Sequence, residues 1–106
     1  MELHANLPTK KRLHTLFRSP YQTDIDIIML CVAPQDAILL LQDGVIAALA
    51  QVDIEARLLE QGVPVYALRA DVEARGLVAQ ISTSIPLIDY TEFVRLTAKY
   101  AVQLAW

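Results

Sequence analysis

Cys31 is the single thiol of the chain, and a cysteine that attacks or carries sulfur must work as a thiolate. It stands within Ile27-Ile28-Met29-Leu30-Cys31-Val32, in the last turns of an expected helix. The dipole at that end has the wrong sign for a thiolate, and apolar neighbours disfavour any charge. A small buried hydrophobe is the expected role, with direct persulfide carriage on Cys31 as the alternative. One cysteine beside His4 and His14 cannot complete a Cys/His zinc tetrad. Ser19, His14 and Asp43 could converge as a hydrolytic triad. A capping Ser, a strand His and a capping Asp explain the same residues with fewer assumptions. With glycines only at positions 44, 62 and 76, neither a dinucleotide fingerprint nor a phosphate-binding loop can be written. No Ser sits in G-x-S-x-G. The expectation is no catalytic residue, no cofactor and no metal.

A second place for chemistry is the turn Gln42-Asp43-Gly44. The apolar run before it, Ala37 to Leu41, reads as a strand buried on both faces. Ligands of open α/β sheets gather beyond the carboxyl ends of such strands. Asp43 can also simply cap the helix that follows. A small anion held by Gln42 and the helix start ranks last, because Asp43 repels anions. Arg18, Arg69, Arg75 and Arg95 could face an acidic partner, but their spacing singles out none of them. Trp106 is costly to leave in water, so it either anchors an interface or folds back onto its own core.

These residues need a frame, and the sequence predicts one. Residues 1–12 read as a disordered arm, an upstream start or an expression remnant, and residues 13–106 as one domain. Leu13 to Phe17 is the first strand. Ser19-Pro20-Tyr21-Gln22 opens a helix whose stripe is Tyr21, Ile25, Ile28 and Val32, ending at Pro34. After the central strand, a second helix runs from about Gly44 to Gln61 on Val45, Leu49, Val52, Ala56 and Leu59. Pro64 to Leu68 is a strand, and Asp71 caps a short helix through Arg75, closed by Gly76. Ile85 to Ile88 is a strand, and Asp89 with Glu92 forms a capping box for a helix to about Tyr100. Val102 to Trp106 adds a last strand or an ordered tail. Alternating strands and helices predict a three-layer α/β domain with a mainly parallel sheet of four or five strands.

Composition narrows the function. A net charge of −3 and a pI near 5.2 argue against direct nucleic-acid binding. Nothing reads as a transmembrane run or a secretory signal, which makes a cytoplasmic protein the default. Yet 55% of residues are hydrophobic and the mean hydropathy is +0.37. A domain this small has little interior for them, so other subunits are expected to cover part of its surface. A Leu- and Ala-rich core is the plainer explanation.

Leu13-His14-Thr15-Leu16, Arg18-Ser19-Pro20, Leu39-Leu40-Leu41-Gln42-Asp43-Gly44-Val45, Val65-Tyr66-Ala67-Leu68 and Ala74-Arg75-Gly76-Leu77 resemble the TusB/DsrH family. So do Gln80-Ile81-Ser82, Leu87-Ile88-Asp89-Tyr90-Thr91, Phe93-Val94-Arg95-Leu96-Thr97 and Ala105-Trp106. The resemblance implies a DsrE-like fold and a cytoplasmic heterohexamer with TusC and TusD, a dimer of heterotrimers. That complex relays persulfide sulfur from TusA to TusE for the 2-thio group of wobble uridine, so tRNA is met only indirectly. It also places the relay cysteine on TusD. Relatives in sulfur oxidation carry a cysteine in this region, but it falls at Met29 rather than Cys31.

Overall fold

The computed structural model describes residues 10–50 and 52–106. Five strands, β1 (Arg12–Leu16), β2 (Ala37–Leu40), β3 (Val65–Leu68), β4 (Leu87–Ile88) and β5 (Val102–Ala105), form one sheet in the order β4-β3-β2-β1-β5. Every pairing is parallel. The helices are α1 (Ile25–Cys31), α2 (Asp53–Glu60), α3 (Arg69–Ala74) and α4 (Tyr90–Lys99). Among the described residues, no helix is long and apolar enough to cross a membrane.

Chain order and handedness decide which face each helix covers. From β1 to β4 the chain steps in one direction, so right-handed crossovers put α1, α2 and α3 on one face. The return from β4 to β5 runs the other way and puts α4 on the opposite face. Two cores follow from this alternation. Ile25, Ile28, Leu58 and Val72 pack with Leu16, Ile38, Leu40 and Val65 on the first face. Leu13, Leu39, Leu68 and Ile88 pack with Phe93 and Leu96 on the second. All four β2 residues are buried, as expected for a strand covered on both sides.

The fold class stands as the sequence predicts, and β5 is a strand rather than a tail. Two helices differ. Ser19 does cap a turn, but it is a 3-10 turn over Pro20–Gln22, and the chain then extends at Thr23. The α-helix starts anew behind Asp24, whose side chain accepts from the Ile27 N–H at 3.2 Å, and ends at Cys31. Ile25 and Ile28 of the expected stripe are buried, while Tyr21 is exposed.

The long second helix is replaced by a 3-10 segment, Gln42–Ala48, followed by the separate α2. Its break has a non-local cause. Ala50 donates to the Gln80 carbonyl at 2.8 Å, and Ser82 donates to the Ala48 carbonyl at 2.8 Å. A short antiparallel bridge, Leu49 to Ile81, thus pulls the backbone out of helix. Within α2 the buried residue is Leu58, and Ala56 faces solvent.

The features set by short-range sequence hold better. Asp89 and Glu92 form the predicted capping box, and Gly76 sits at φ +65° as the stop after α3. Asp71 lies in the first turn of α3 rather than at its cap. The arm expected over 1–12 falls largely outside the described residues. Arg12 does not belong to it, because it opens β1.

Candidate functional site

Beyond the carboxyl end of β2 the backbone turns sharply. Gln42 takes φ +51°, a left-handed conformation that a non-glycine residue adopts at a cost. Its N–H donates to Oδ2 of Asp71 at 2.7 Å. Gly44 is required by a close approach: a Cβ there would stand 1.9 Å from the Leu16 carbonyl oxygen. That same carbonyl accepts from the Leu41 N–H at 3.0 Å, which fixes the turn to the end of β1.

Asp43 does not cap the segment that follows, which has no side-chain cap. Its Oδ1 accepts from Nη2 of Arg75 at 2.9 Å and from Nε at 3.1 Å. The carboxylate is 60% exposed. Gln42, Asp43, Asp71 and Arg75 therefore converge at the ends of β2 and β3, with the one cation already matched. An added anion would compete with Asp43 for Arg75. Among the described residues, Arg18, Arg69 and Arg95 make no ion pair, and all three are exposed.

Cys31 is the last residue of α1 and is half-buried rather than enclosed. Its carbonyl accepts from Nη2 of Arg12 at 2.6 Å, so a cation does complement this helix end. The guanidinium is engaged by that carbonyl and by Asp36. Trp106 folds back, packing against the first-face core with its indole N–H on His14. The triad of Ser19, His14 and Asp43 does not form, because the carboxylate at His14 is Asp36.

Sequence reasoning missed that Asp36 altogether. It sits one residue before β2 with 1% of its surface exposed. Its oxygens accept from the N–H of Arg12 at 3.1 Å, the N–H of Ala33 at 2.9 Å, Nε of Arg12 at 3.2 Å and Nε2 of His14 at 2.8 Å. Burial by itself raises the Asp36 pKa, but the Ala33 N–H, His14 and Arg12 together bring it below the ordinary value. A charged residue directly before an apolar strand was the available signal.

Apolar groups complete the surface. Ile27 is half exposed, and Leu30, one turn on in α1, is 86% exposed. Tyr90 and Val94 make a similar neighbouring pair on α4. The two pairs belong to helices on opposite faces of the sheet. Beside α4, Tyr66, Ile88, Glu92, Arg95 and Leu96 line an open hollow of about 200 Å³. Among the described residues no group of three His, Cys, Asp or Glu side chains is placed to hold a metal ion.

Comparison with known proteins gives this geometry a context. The family model described as DsrH like protein matches residues 18–103. Protein TusB of Pectobacterium parmentieri is 56% identical over 94 residues, spanning 89% of this chain and 99% of that protein. Protein TusB of Escherichia coli K12 is 50% identical over the same coverage. The crystal structure of the ychN protein from E. coli shares the fold, with a TM-score of 0.75 at 15% identity, covering 92% of this chain and 100% of that one. The solution structure of Tm0979 from Thermotoga maritima matches with a TM-score of 0.63 at 30% identity, covering 82% and 91%.

Proposed function

The chain belongs to the TusB/DsrH family, and from that premise we propose that it is a non-catalytic structural subunit of a TusBCD-type sulfur-relay complex. In this reading it works in the cytoplasm, in a heterohexamer with TusC and TusD. The persulfide passes from TusA through the TusD cysteine to TusE, and tRNA receives the sulfur for its wobble uridine without touching this chain.

The observation that carries the reading is the apolar pairs on both faces of the sheet, Ile27 with Leu30 on α1 and Tyr90 with Val94 on α4. Aliphatic and aromatic groups that exposed cost free energy in water and gain it when a partner covers them. The nearby polar groups are matched to one another: Asp43 to Arg75, and Asp36 to Arg12 and His14. Surface, rather than acid–base chemistry, is what this arrangement offers. Co-expression with TusC and TusD followed by size-exclusion chromatography tests the reading. Co-elution of the three chains is expected, and a stable monomer indifferent to both partners contradicts it.

One observation favours a second reading, in which Cys31 itself carries the persulfide. Cys31 is only half-buried and adjoins the exposed Leu30 at the end of α1. Intact-mass measurement after incubation with a persulfide donor decides between the two. Added sulfur on Cys31, with loss of relay in Cys31→Ser, supports carriage. An unchanged mass with full relay in the variant supports the structural role.

A further inference from the structure

His14 is a buried titratable ring that the proposed role leaves unused. It is 1% exposed and is held on two sides by groups of different kind. Nε2 lies 2.8 Å from Oδ2 of Asp36. Nδ1 lies 3.1 Å from Nε1 of Trp106, the residue that follows β5. An indole nitrogen can only donate, so Nδ1 must be the nitrogen without a proton. The ring proton is then on Nε2 and donates to Asp36. The planes of the two rings differ by 18° and their centroids are 6.2 Å apart. The nitrogens are at hydrogen-bonding distance and the ring planes are nearly parallel. This lets the indole N–H meet the Nδ1 lone pair.

We propose that His14 is a proton-operated latch beside the edge strand: neutral, it ties the Trp106 indole to Asp36; protonated at Nδ1, it keeps Asp36 and lets go of the indole, while the Trp106 backbone stays bonded to Thr15 and Phe17. The incoming proton takes the lone pair that accepts the indole N–H, so two donors then face each other. No covalent bond breaks; one hydrogen bond is lost and the indole N–H turns to water. The Nε2 side is strengthened, because an imidazolium beside the Asp36 carboxylate makes a charge-assisted bond. Asp36 is anionic throughout this step.

The charged and titratable surroundings fix that direction. From β1, Arg12 reaches Oδ2 of Asp36 at 3.1 Å and shares that carboxylate with the ring. From α1, Cys31 offers its carbonyl to Arg12. After α4, the Tyr100 phenol is held neutral, its pKa pushed up by burial and by the charges of Tyr66 and Asp36. Trp106 presents no titratable side chain. β5 is paired on one side only, with β1, so the loss falls at an edge of the sheet.

Nitrogen-15 spectroscopy of the intact chain tests the latch. Trp106 is the only tryptophan, so its indole N–H gives a single resonance, and substituting His4 leaves the remaining imidazole signals to His14. The expected result for the neutral ring is a proton on Nε2 alone. As His14 titrates, the indole N–H loses exchange protection by roughly fivefold, the worth of one net hydrogen bond. Amides of β2 and β3 keep their protection through the same step. A neutral ring protonated at Nδ1 overturns the proposal. So does an indole N–H unchanged through the titration, or a ring that stays neutral until the whole chain unfolds.

Discussion

Two polar clusters, each built around an Asp–Arg pair, stand at opposite ends of one sheet. At the amino ends of β1 and β2, Arg12, His14 and Asp36 are packed beneath α1. Past the carboxyl ends of β2 and β3, Asp43, Asp71 and Arg75 surround the backbone of Gln42. Both contain an Asp–Arg pair, with N···O distances of 3.1 Å and 2.9 Å. Burial separates them. The Asp36 side chain is fully enclosed, and among the described residues no buried side-chain polar atom lacks a partner. Asp43 keeps most of its surface in water. A sealed cluster must be complete to be tolerated, whereas an exposed one can be rearranged at little cost. The amino-end cluster therefore specifies how β1, β2 and β5 assemble, and the carboxyl end is where groups stay available to a partner.

Asp36→Ala should have the largest effect. Removing the buried anion strands Arg12, His14 and two backbone N–H groups, and should cost about 4 kcal/mol in urea denaturation. The comparison breaks if the loss is no greater than for a surface Asp. Gly44→Ala comes next, at about 3 kcal/mol, because the new methyl meets the Leu16 backbone, which cannot swing away. That result would show the carboxyl end to be fixed through its backbone and not through its ion pair.

The pH dependence sharpens the contrast. Asp36 titrates below its ordinary value in the folded chain, so its contribution is complete above about pH 3.9. It is lost as pH falls through the lower folded value. With His14 neutral, the denaturation midpoints of the wild type and Asp36→Asn should stay apart by a constant amount, and they should converge only in acid strong enough to protonate Asp36 in the folded chain. Smallest is Arg75→Ala, at about 0.5 kcal/mol, since it removes an exposed pair and one bond to the Asp71 carbonyl. A loss above about 2 kcal/mol would erase the distinction between the clusters.

What the sequence revealed followed the range of each interaction. The run Ala37 to Leu41 and the box Asp89–Glu92 were legible because their causes lie within a few residues. The helix drawn from Gly44 to Gln61 failed because strand-like pairing of Leu49 with Ile81 is set from a distant segment. Ser19 and Asp24 both look like caps, and only tertiary packing decides which one starts the α-helix. The amino-end cluster was out of reach for the same reason: His14 meets Asp36 across 22 positions and Trp106 across 92. Trp106 was recognised as a residue needing cover, yet no local pattern could say that its own core supplies it.

The central claim, that this chain contributes surface to a larger assembly, is tested most directly by native mass spectrometry. The chain and its Leu30→Lys variant, each co-expressed with TusC and TusD, would be weighed intact. The account predicts two copies of each subunit for the wild type and a dissociated or weakened assembly for Leu30→Lys, whose own fold should be unchanged because Leu30 stands in solvent. An 11.8 kDa monomer in both samples would contradict it.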